Sequence, residues 1–238
     1  EEDEPLLTPV NDDGDLVQPE HYVPIIPMML INGCVAGIGT GWSCTVPCYN
    51  PLDMIAAIRI WLENDGEVLV EDPDDEEGVV SMFPEFVPWY RGFQGDIEKD
   101  SDTRFVTYGI VSETQKRGVI EVSELPIGMW TSKFADFVTD LKVEKKLKKV
   151  SNYSTPKTVQ FFLEETDDFH CDLETLKLHS YLYTSNMVTF DEKNRLRKDK
   201  TVDEVLDNFC KVRFEYYTKR KCYQVGALEA EFRYLGNK

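Results

Sequence analysis

Residues 24–43 read PIIPMMLINGCVAGIGTGWS, and they contain the most specific pattern in the chain. An apolar, strand-like run leads to a turn at Asn32-Gly33, after which Gly37, Gly39 and Gly41 alternate with larger residues. Because glycine lets the backbone turn tightly, we expect these glycines to hold the bulky Ile38 clear of local neighbours. Ile38 is then either a plug for the core of its own domain or a wedge for a binding partner.

The alternate glycines do not predict a nucleotide site. A dinucleotide loop of the form Gly-x-Gly-x-x-Gly leads directly into a helix whose N-terminus faces the phosphates. In this chain residues 42–47 separate the last glycine from the first predicted helix. The loop amides and the helix dipole therefore point to different places.

Charge is concentrated in two blocks. The 238 residues carry a net charge of −18, yet eight acids lie in residues 1–20 and nine in residues 63–77, so the rest is nearly neutral. We expect both blocks to be solvated surface. With 42% hydrophobic residues the chain is expected to be globular, and no apolar run reaches the roughly 18 residues of a membrane span. It begins with Glu1 rather than Met, so we expect part of a longer protein.

Two ordinary helices are predicted. The first covers residues 51–64, because Asn50-Pro51 supplies a cap and a proline suited to the first turn. The second is capped by Thr131 or Ser132 and is expected to run out into the lysine-rich residues 142–149. Both contain apolar residues at helical spacing.

Antiparallel strands are predicted between the helices. Residues 93–123 alternate in the way that strands do, and further strands are expected at 158–164 and 186–190. The sequence therefore predicts an α+β fold.

The C-terminal part predicts one helix of some 35 residues, far longer than the ordinary length of about 12. Thr201 and Glu204 have the spacing of a capping box, and no proline follows them. Its expected apolar stripe is Val205, Phe209, Val212, Tyr216, Lys219 and Tyr223. Such a helix is typical of one arm of a coiled coil.

The cysteines do not predict a metal site. Three residues separate Cys44 from Cys48, and His170 adjoins Cys171, but a structural zinc site needs four ligands in two close pairs. We expect reduced thiols and no metal in this chain.

Four motifs follow one another along the chain. They are YVPIIPM, LING and GIGTGWS within residues 22–43, PWYRGFQG at 88–95, ELP with WT at 124–131, and RFEYY with KRK at 213–221. In order and spacing they resemble eukaryotic-type DNA topoisomerase II, a type IIA enzyme, over essentially all of the chain.

The resemblance implies a fold and a division into domains. Residues 1–20 would be an acidic connector from an upstream winged-helix region. Residues 21–200 would be the tower domain, an antiparallel sheet with flanking helices, and residues 201–238 would begin the coiled-coil stem. The turn Cys34-Val35-Ala36 is one residue longer than the family pattern.

The resemblance also implies the site. Ile38 would insert between base pairs of the gate DNA segment and bend it. The DNA-contacting residues would be Lys177, His179, Ser180, Tyr181, Tyr183, Thr184, Ser185 and Asn186. Hydroxyl, amide and basic groups of this kind suit phosphate contacts rather than base reading. Taken alone, this polar stretch is typical of an ordinary loop at a strand edge.

The rest of the enzyme is expected outside the chain. The catalytic tyrosine, the metal-binding carboxylates and the ATPase would precede it, so we expect no catalytic residue here and no DNA cleavage by this chain alone. Arg233-Tyr234 resembles a catalytic pair but lies on the stem helix. The intact enzyme would use Mg²⁺ and ATP, act as a homodimer on double-stranded DNA, contact no membrane and be intracellular. It would lie in the nucleus of a eukaryote, or in the host nucleus or cytoplasm if viral.

Another class of function remains open. The chain is alternatively an autonomous acidic protein-interaction module that uses its long helix for docking. A nucleotide-binding enzyme would rest on the glycine run alone.

Overall fold

The computed structural model describes residues 2–71, 79–191 and 195–238. Its helices are α1 (Met28–Asn32), α2 (Pro51–Glu63), α3 (Thr131–Val143) and α4 (Val202–Gly236). Its strands are β1 (Pro9–Asp12), β2 (Asp15–Pro19), β3 (Cys34–Gly39), β4 (Trp42–Val46), β5 (Leu69–Glu71), β6 (Val79–Ser81), β7 (Ile97–Ser101), β8 (Arg104–Tyr108), β9 (Ile110–Glu113), β10 (Val119–Glu124), β11 (Leu147–Asn152), β12 (Phe161–Glu165), β13 (His179–Tyr183), β14 (Met187–Phe190) and β15 (Leu196–Asp199). The paired strands are antiparallel, which confirms the predicted α+β fold with a long C-terminal helix.

The chain divides into two compact units. The hairpin unit consists of Glu1–Val46, Asn50–Phe86 and Asn186–Lys238, and the sheet unit consists of Pro47–Tyr49 and Val87–Ser185. The connector, tower and stem predicted at 1–20, 21–200 and 201–238 are a different division, and those boundaries stay predictions.

The core of the sheet unit lies between α3 and a four-stranded sheet with the order β11-β12-β10-β9. Phe134, Val138 and Leu141 on α3 are buried, as their helical spacing predicts. They pack in one cluster with Val122 and Phe161 from the sheet. A second sheet of this unit has the order β13-β8-β7.

The prediction for the region after α3 is wrong. The helix ends at Val143, and Leu147–Asn152 is a strand rather than an extension of the helix. Leu147 is fully buried and pairs with β12, so core burial decides the structure of a segment whose lysines favour a helix. The cap is also displaced, because Trp130 occupies that position and provides no side-chain hydrogen bond.

In the hairpin unit α2 begins as predicted. The Asn50 side chain accepts a hydrogen bond from the Leu52 amide at 2.9 Å. On its inner face the Trp61 indole donates to Asp207 of α4 at 2.9 Å. This bond fixes α2 against the first turns of α4.

The long helix α4 has 35 residues, and the Thr201 hydroxyl caps it by accepting a hydrogen bond from the Glu204 amide. The predicted apolar stripe is partly wrong. Tyr223 of that stripe is half exposed. The buried residues of α4 are Val202, Val205, Leu206, Asp207, Cys210, Arg213 and Tyr216. The core-facing side includes a carboxylate and a guanidinium, which an apolar pattern cannot detect. Across the described residues no helix is long and apolar enough to cross a membrane.

The acidic residues 1–20 are solvated surface as predicted, because every described acid among them except Asp3 is exposed, but they are not an irregular loop. Pro9–Asp12 and Asp15–Pro19 form a hairpin around Asp13 and Gly14, which both have positive φ. Asp3 lies 2.7 Å from Nη1 of Arg213. Of the second acidic block, residues 72–77 lie outside the described residues.

Candidate functional site

Ile38 lies on the hairpin formed by β3 and β4. Gly39 pairs with Trp42, so the turn consists of Thr40 and Gly41, and Gly41 has a φ of +83° that favours glycine. Ile38 pairs with Ser43, and it is 86% exposed. Within the described structure Ile38 is therefore not part of the core.

The opposite face of this hairpin is closely packed. A Cβ atom on Gly39 would lie 2.2 Å from the Trp42 indole, and one on Gly37 would lie 2.8 Å from Sγ of Cys34. Both glycines lie in an extended strand, so they make room for these neighbours and do not turn the backbone as we expected. The alternation of a strand then leaves Ile38 on the open face.

Strand β14 supports the hairpin. The Thr45 amide donates to the Asn186 carbonyl at 2.8 Å, and Nδ2 of Asn186 donates to the Ser43 hydroxyl at 3.0 Å. The rings of Trp42 and Phe190 meet edge to face with centroids 5.4 Å apart. Asn186, a predicted DNA-contacting residue, is thus hydrogen-bonded to Ser43, the residue that pairs with Ile38.

A β-bulge lies in β3 below Ile38. Cys34 pairs with Val46 and Gly37 pairs with Cys44, so three steps along β3 match two steps along β4. One residue more on β3 than on β4 is accommodated between Cys34 and Gly37. The predicted extra turn residue falls in this bulge.

The other predicted contact residues belong to the sheet unit. β13 pairs with β8, and the side chains of His179, Tyr181 and Tyr183 lie on one face of this pair. The His179 and Tyr181 rings are 6.0 Å apart, and the Tyr181 and Tyr183 rings are 6.4 Å apart. Both tyrosines are 46% exposed, so this face presents a row of aromatic groups to solvent.

Two of the predicted contact residues point inward instead. The Ser180 hydroxyl donates to the Ile127 carbonyl at 2.6 Å and lies 2.8 Å from the Thr107 hydroxyl. Thr184 is 5% exposed. The alternation along the strand accounts for both, because a polar residue next to an exposed tyrosine faces the opposite side.

Arg104 on β8 was not predicted. Its guanidinium carbon lies 5.2 Å from the centre of the Tyr181 ring, and it forms an ion pair with Asp100. It pairs across the sheet with Tyr183. No local signal identifies it, because the neighbouring strand is more than 70 residues away in the sequence.

The described residues include no group of three or more His, Cys, Asp or Glu side chains that could hold a metal ion. Burial raises the pKa of the Cys44 and Cys48 thiols, which disfavours the thiolate form that binds metals. The described part of the chain thus presents no candidate metal centre.

Comparison with known proteins gives one consistent result. The family model for the A-subunit of DNA gyrase/topoisomerase IV matches residues 1–237. The chain is 36% identical over 240 residues to the DNA topoisomerase 2 of Invertebrate iridescent virus 6, covering 100% of this chain and 20% of the relative. It is 37% identical over 246 residues to the DNA topoisomerase 2 of Penicillium chrysogenum, covering 99% and 14%.

The fold is similar to that of a solved structure as well. The Plasmodium falciparum topoisomerase II DNA-binding, cleavage and re-ligation domain superimposes with a TM-score of 0.84 at 30% identity, covering 100% of this chain and 31% of that one. The chain spans about a fifth or less of the length of the two relatives named above.

Proposed function

This chain belongs to the DNA gyrase/topoisomerase IV A-subunit family, and from that premise we propose that it acts within the DNA-binding and cleavage core of an ATP-dependent type II topoisomerase. It binds the gate DNA segment and bends it by inserting Ile38 between base pairs, which supports the passage of a second duplex. Residues 1–20 serve as a connector from the upstream part of the enzyme, residues 21–200 serve as the tower, and residues 201–238 begin the coiled-coil stem.

One observation carries the proposal. Ile38 is 86% exposed on one face of the hairpin. On the other face the hairpin's own Trp42 and Cys34 side chains occupy the space beside Gly39 and Gly37. Leaving such a side chain in water forfeits about 1.5–3 kcal/mol of burial free energy. A rigid strand that presents one apolar side chain suits insertion into a base stack, where apolar wedges kink duplexes.

The exposed face of β13 supplies contacts to the DNA backbone in this proposal. Tyr181 and Tyr183 offer hydroxyl groups, and Lys177 and Ser185 are exposed at the two ends of the segment. Such groups bond phosphates and fix position without reading sequence. Ser180 and Thr184 instead hold the strand in place.

The proposed division of roles along β13 predicts opposite results for neighbouring residues. Replacing both Tyr181 and Tyr183 by phenylalanine keeps the rings and removes two phosphate-bonding hydroxyls. At about 1 kcal/mol for each bond, DNA affinity of the intact enzyme should fall by about 30-fold, with thermal stability unchanged. Ser180→Ala should lower thermal stability and leave the affinity of the folded protein unchanged. Equal affinity of the double variant and the unaltered enzyme would contradict the role of this face.

The chain alone should not relax supercoiled DNA. We infer that the nucleophilic tyrosine and the ATPase belong to other parts of the enzyme, together with the carboxylates that would hold Mg²⁺. Incubating the chain with supercoiled plasmid, Mg²⁺ and ATP should leave the topoisomer distribution unchanged on an agarose gel. A covalent adduct between DNA and any tyrosine of this chain, Tyr234 included, would overturn the assignment.

The intact enzyme is proposed to act as a homodimer on double-stranded DNA and to be intracellular, in the nucleus of a eukaryote or in the host nucleus or cytoplasm if viral. The exposed apolar residues of the second half of α4 support pairing with another stem helix, and Phe232 is 78% exposed there. For the alternative, an acidic docking module, Glu2 and Asp3 are less suitable than the other N-terminal acids, because both are already paired with arginines of α4.

A further inference from the structure

Two thiols lie together on the hairpin below Ile38. Cys34 pairs with Val46, and Cys44 is two residues from Val46 on the same strand, so both cysteine side chains lie on the same face. Sγ of Cys34 is 3.6 Å from the carbonyl oxygen of Cys44.

Gly37 provides the space for this contact. A Cβ atom on Gly37 would lie 2.8 Å from Sγ of Cys34 and 3.4 Å from Cβ of Cys44. Both cysteines therefore border the same small space, which glycine leaves open. The bulge between Cys34 and Gly37 makes the backbone of β3 locally irregular, and this irregularity allows the small adjustment that a covalent bond needs.

The two thiols differ in access. Cys34 is partly exposed, whereas Cys44 is 2% exposed, and burial raises the pKa of the Cys44 thiol. An oxidant in solution therefore reaches Cys34 first. Cys44 is the neighbour within reach of an oxidised Cys34 sulfur.

We propose that Cys34 and Cys44 are a redox-sensitive dithiol that a hydroperoxide converts into a disulfide within the hairpin. Cys34 loses its thiol proton to solvent, the thiolate attacks a peroxide oxygen, and the O–O bond breaks to give a Cys34 sulfenic acid. The leaving hydroxide or alkoxide takes up a proton from solvent and is released as water or an alcohol. The Cys44 sulfur then attacks the Cys34 sulfur, an S–S bond forms, and the hydroxide that leaves takes up the Cys44 proton as water. Two thiols are oxidised by two electrons, and the peroxide is reduced by two.

The disulfide would close a ring of residues 34–44, and this ring includes Ile38. The modification would thus occur at the base of the hairpin that we propose contacts DNA. Formation of the bond rests on the thiol geometry alone, so it is tested separately from DNA bending.

The test treats the chain with hydrogen peroxide in a Cys222→Ser background, which removes an exposed thiol able to link two molecules. Cleavage by chymotrypsin after Leu30, Trp42 and Tyr49 separates Cys34, in residues 31–42, from Cys44, in residues 43–49. Mass spectrometry without reductant should show these peptides joined, with the loss of two hydrogens, and dithiothreitol should separate them.

Matched variants identify the partner. Residues 43–49 also contain Cys48, so Cys48→Ser should leave the crosslink intact, while Cys34→Ser should abolish it. Circular dichroism shows whether each variant is folded, and Cys34→Ser is the safer one because Cys34 is only partly buried. Oxidation of Cys34 to sulfinic acid without a crosslink, or a crosslink that disappears with Cys48→Ser, would overturn the proposal.

Discussion

Replacing Ile38 by alanine in the intact enzyme should strongly reduce DNA bending and DNA cleavage, while DNA affinity falls by only a modest factor. Thermal stability should stay unchanged, because the side chain is 86% exposed and supports no core. Bending is measured by energy transfer between dyes at the two ends of a short duplex, and melting is measured on the same preparation.

The free energies explain why bending and affinity should separate. Opening one base step costs a few kcal/mol, and bending a site of 20–30 base pairs costs about 1–6 kcal/mol more. Burial of one isoleucine returns only about 1.5–3 kcal/mol. Ile38 alone therefore cannot bend DNA, and its role is to locate the kink while phosphate contacts supply the remaining free energy.

Val35 provides the matched control. It is an apolar residue of the same hairpin and is 82% exposed, but it lies in the bulge rather than next to the turn. Val35→Ala should leave bending and melting unchanged. An Ile38→Ala enzyme that bends DNA normally would end the wedge proposal, and one that unfolds would show that Ile38 supports the core.

Asp3→Ala should cause the largest loss of stability among these substitutions. Asp3 accepts a hydrogen bond from Nε of Arg220 and lies 2.7 Å from Nη1 of Arg213, which is 4% exposed. Without Asp3 the Arg213 guanidinium remains buried and loses its carboxylate. Removing one partner of a buried ion pair costs about 3–5 kcal/mol, and the melting temperature should fall accordingly.

Glu2 is the control for this pair. Its carboxylate also contacts Arg220, at 2.6 Å, but the side chain is 66% exposed. An exposed ion pair contributes about 0–1 kcal/mol, so Glu2→Ala should hardly change melting. Equal effects of the two substitutions would show that burial of Arg213 does not determine the cost.

The same pair predicts a pH dependence. Hydrogen bonds from Arg220 and Arg213 hold the pKa of Asp3 well below its usual range. The unfolded carboxyl titrates near pH 4, so the stabilisation is complete above that pH and is lost as the pH falls towards the folded pKa. The melting difference between the unaltered chain and Asp3→Asn should therefore stay constant from pH 7 to about pH 4 and shrink as the pH falls further towards pH 3. A melting difference that stays the same at every pH would show that the charge of the Asp3 carboxylate does not stabilise the fold.

Local signals predicted the elements that depend on local chemistry. The cap at Asn50, the cap at Thr201 and the length of the last helix are confirmed. Such features need only the hydrogen-bonding groups of a few neighbouring residues. The exposed position of Ile38 follows from strand alternation combined with the glycines on either side of it.

The errors arise where distant parts of the chain decide the structure. Leu147 joins a strand because β12 receives it, and Arg213 is buried because Asp3 lies against it from more than 200 residues away. The density of acids predicts a solvated Asp3, because it carries no information about the distant arginines. The hairpin in the same block does have a local signal, since Asp13-Gly14 is typical of a two-residue turn. Likewise, the inward direction of Ser180 depends on Ile127 and Thr107, which the composition of residues 177–186 cannot reveal.

The bulge in β3 determines how this hairpin tolerates changes in length. Side chains alternate along a strand, so one added residue would ordinarily exchange the two faces and turn Ile38 inward. Between Cys34 and Gly37 the bulge takes up one residue without a partner, and beyond it Ile38 still pairs with Ser43. The bulge therefore absorbs the additional residue. The change in the length of β3 does not alter the face on which Ile38 lies.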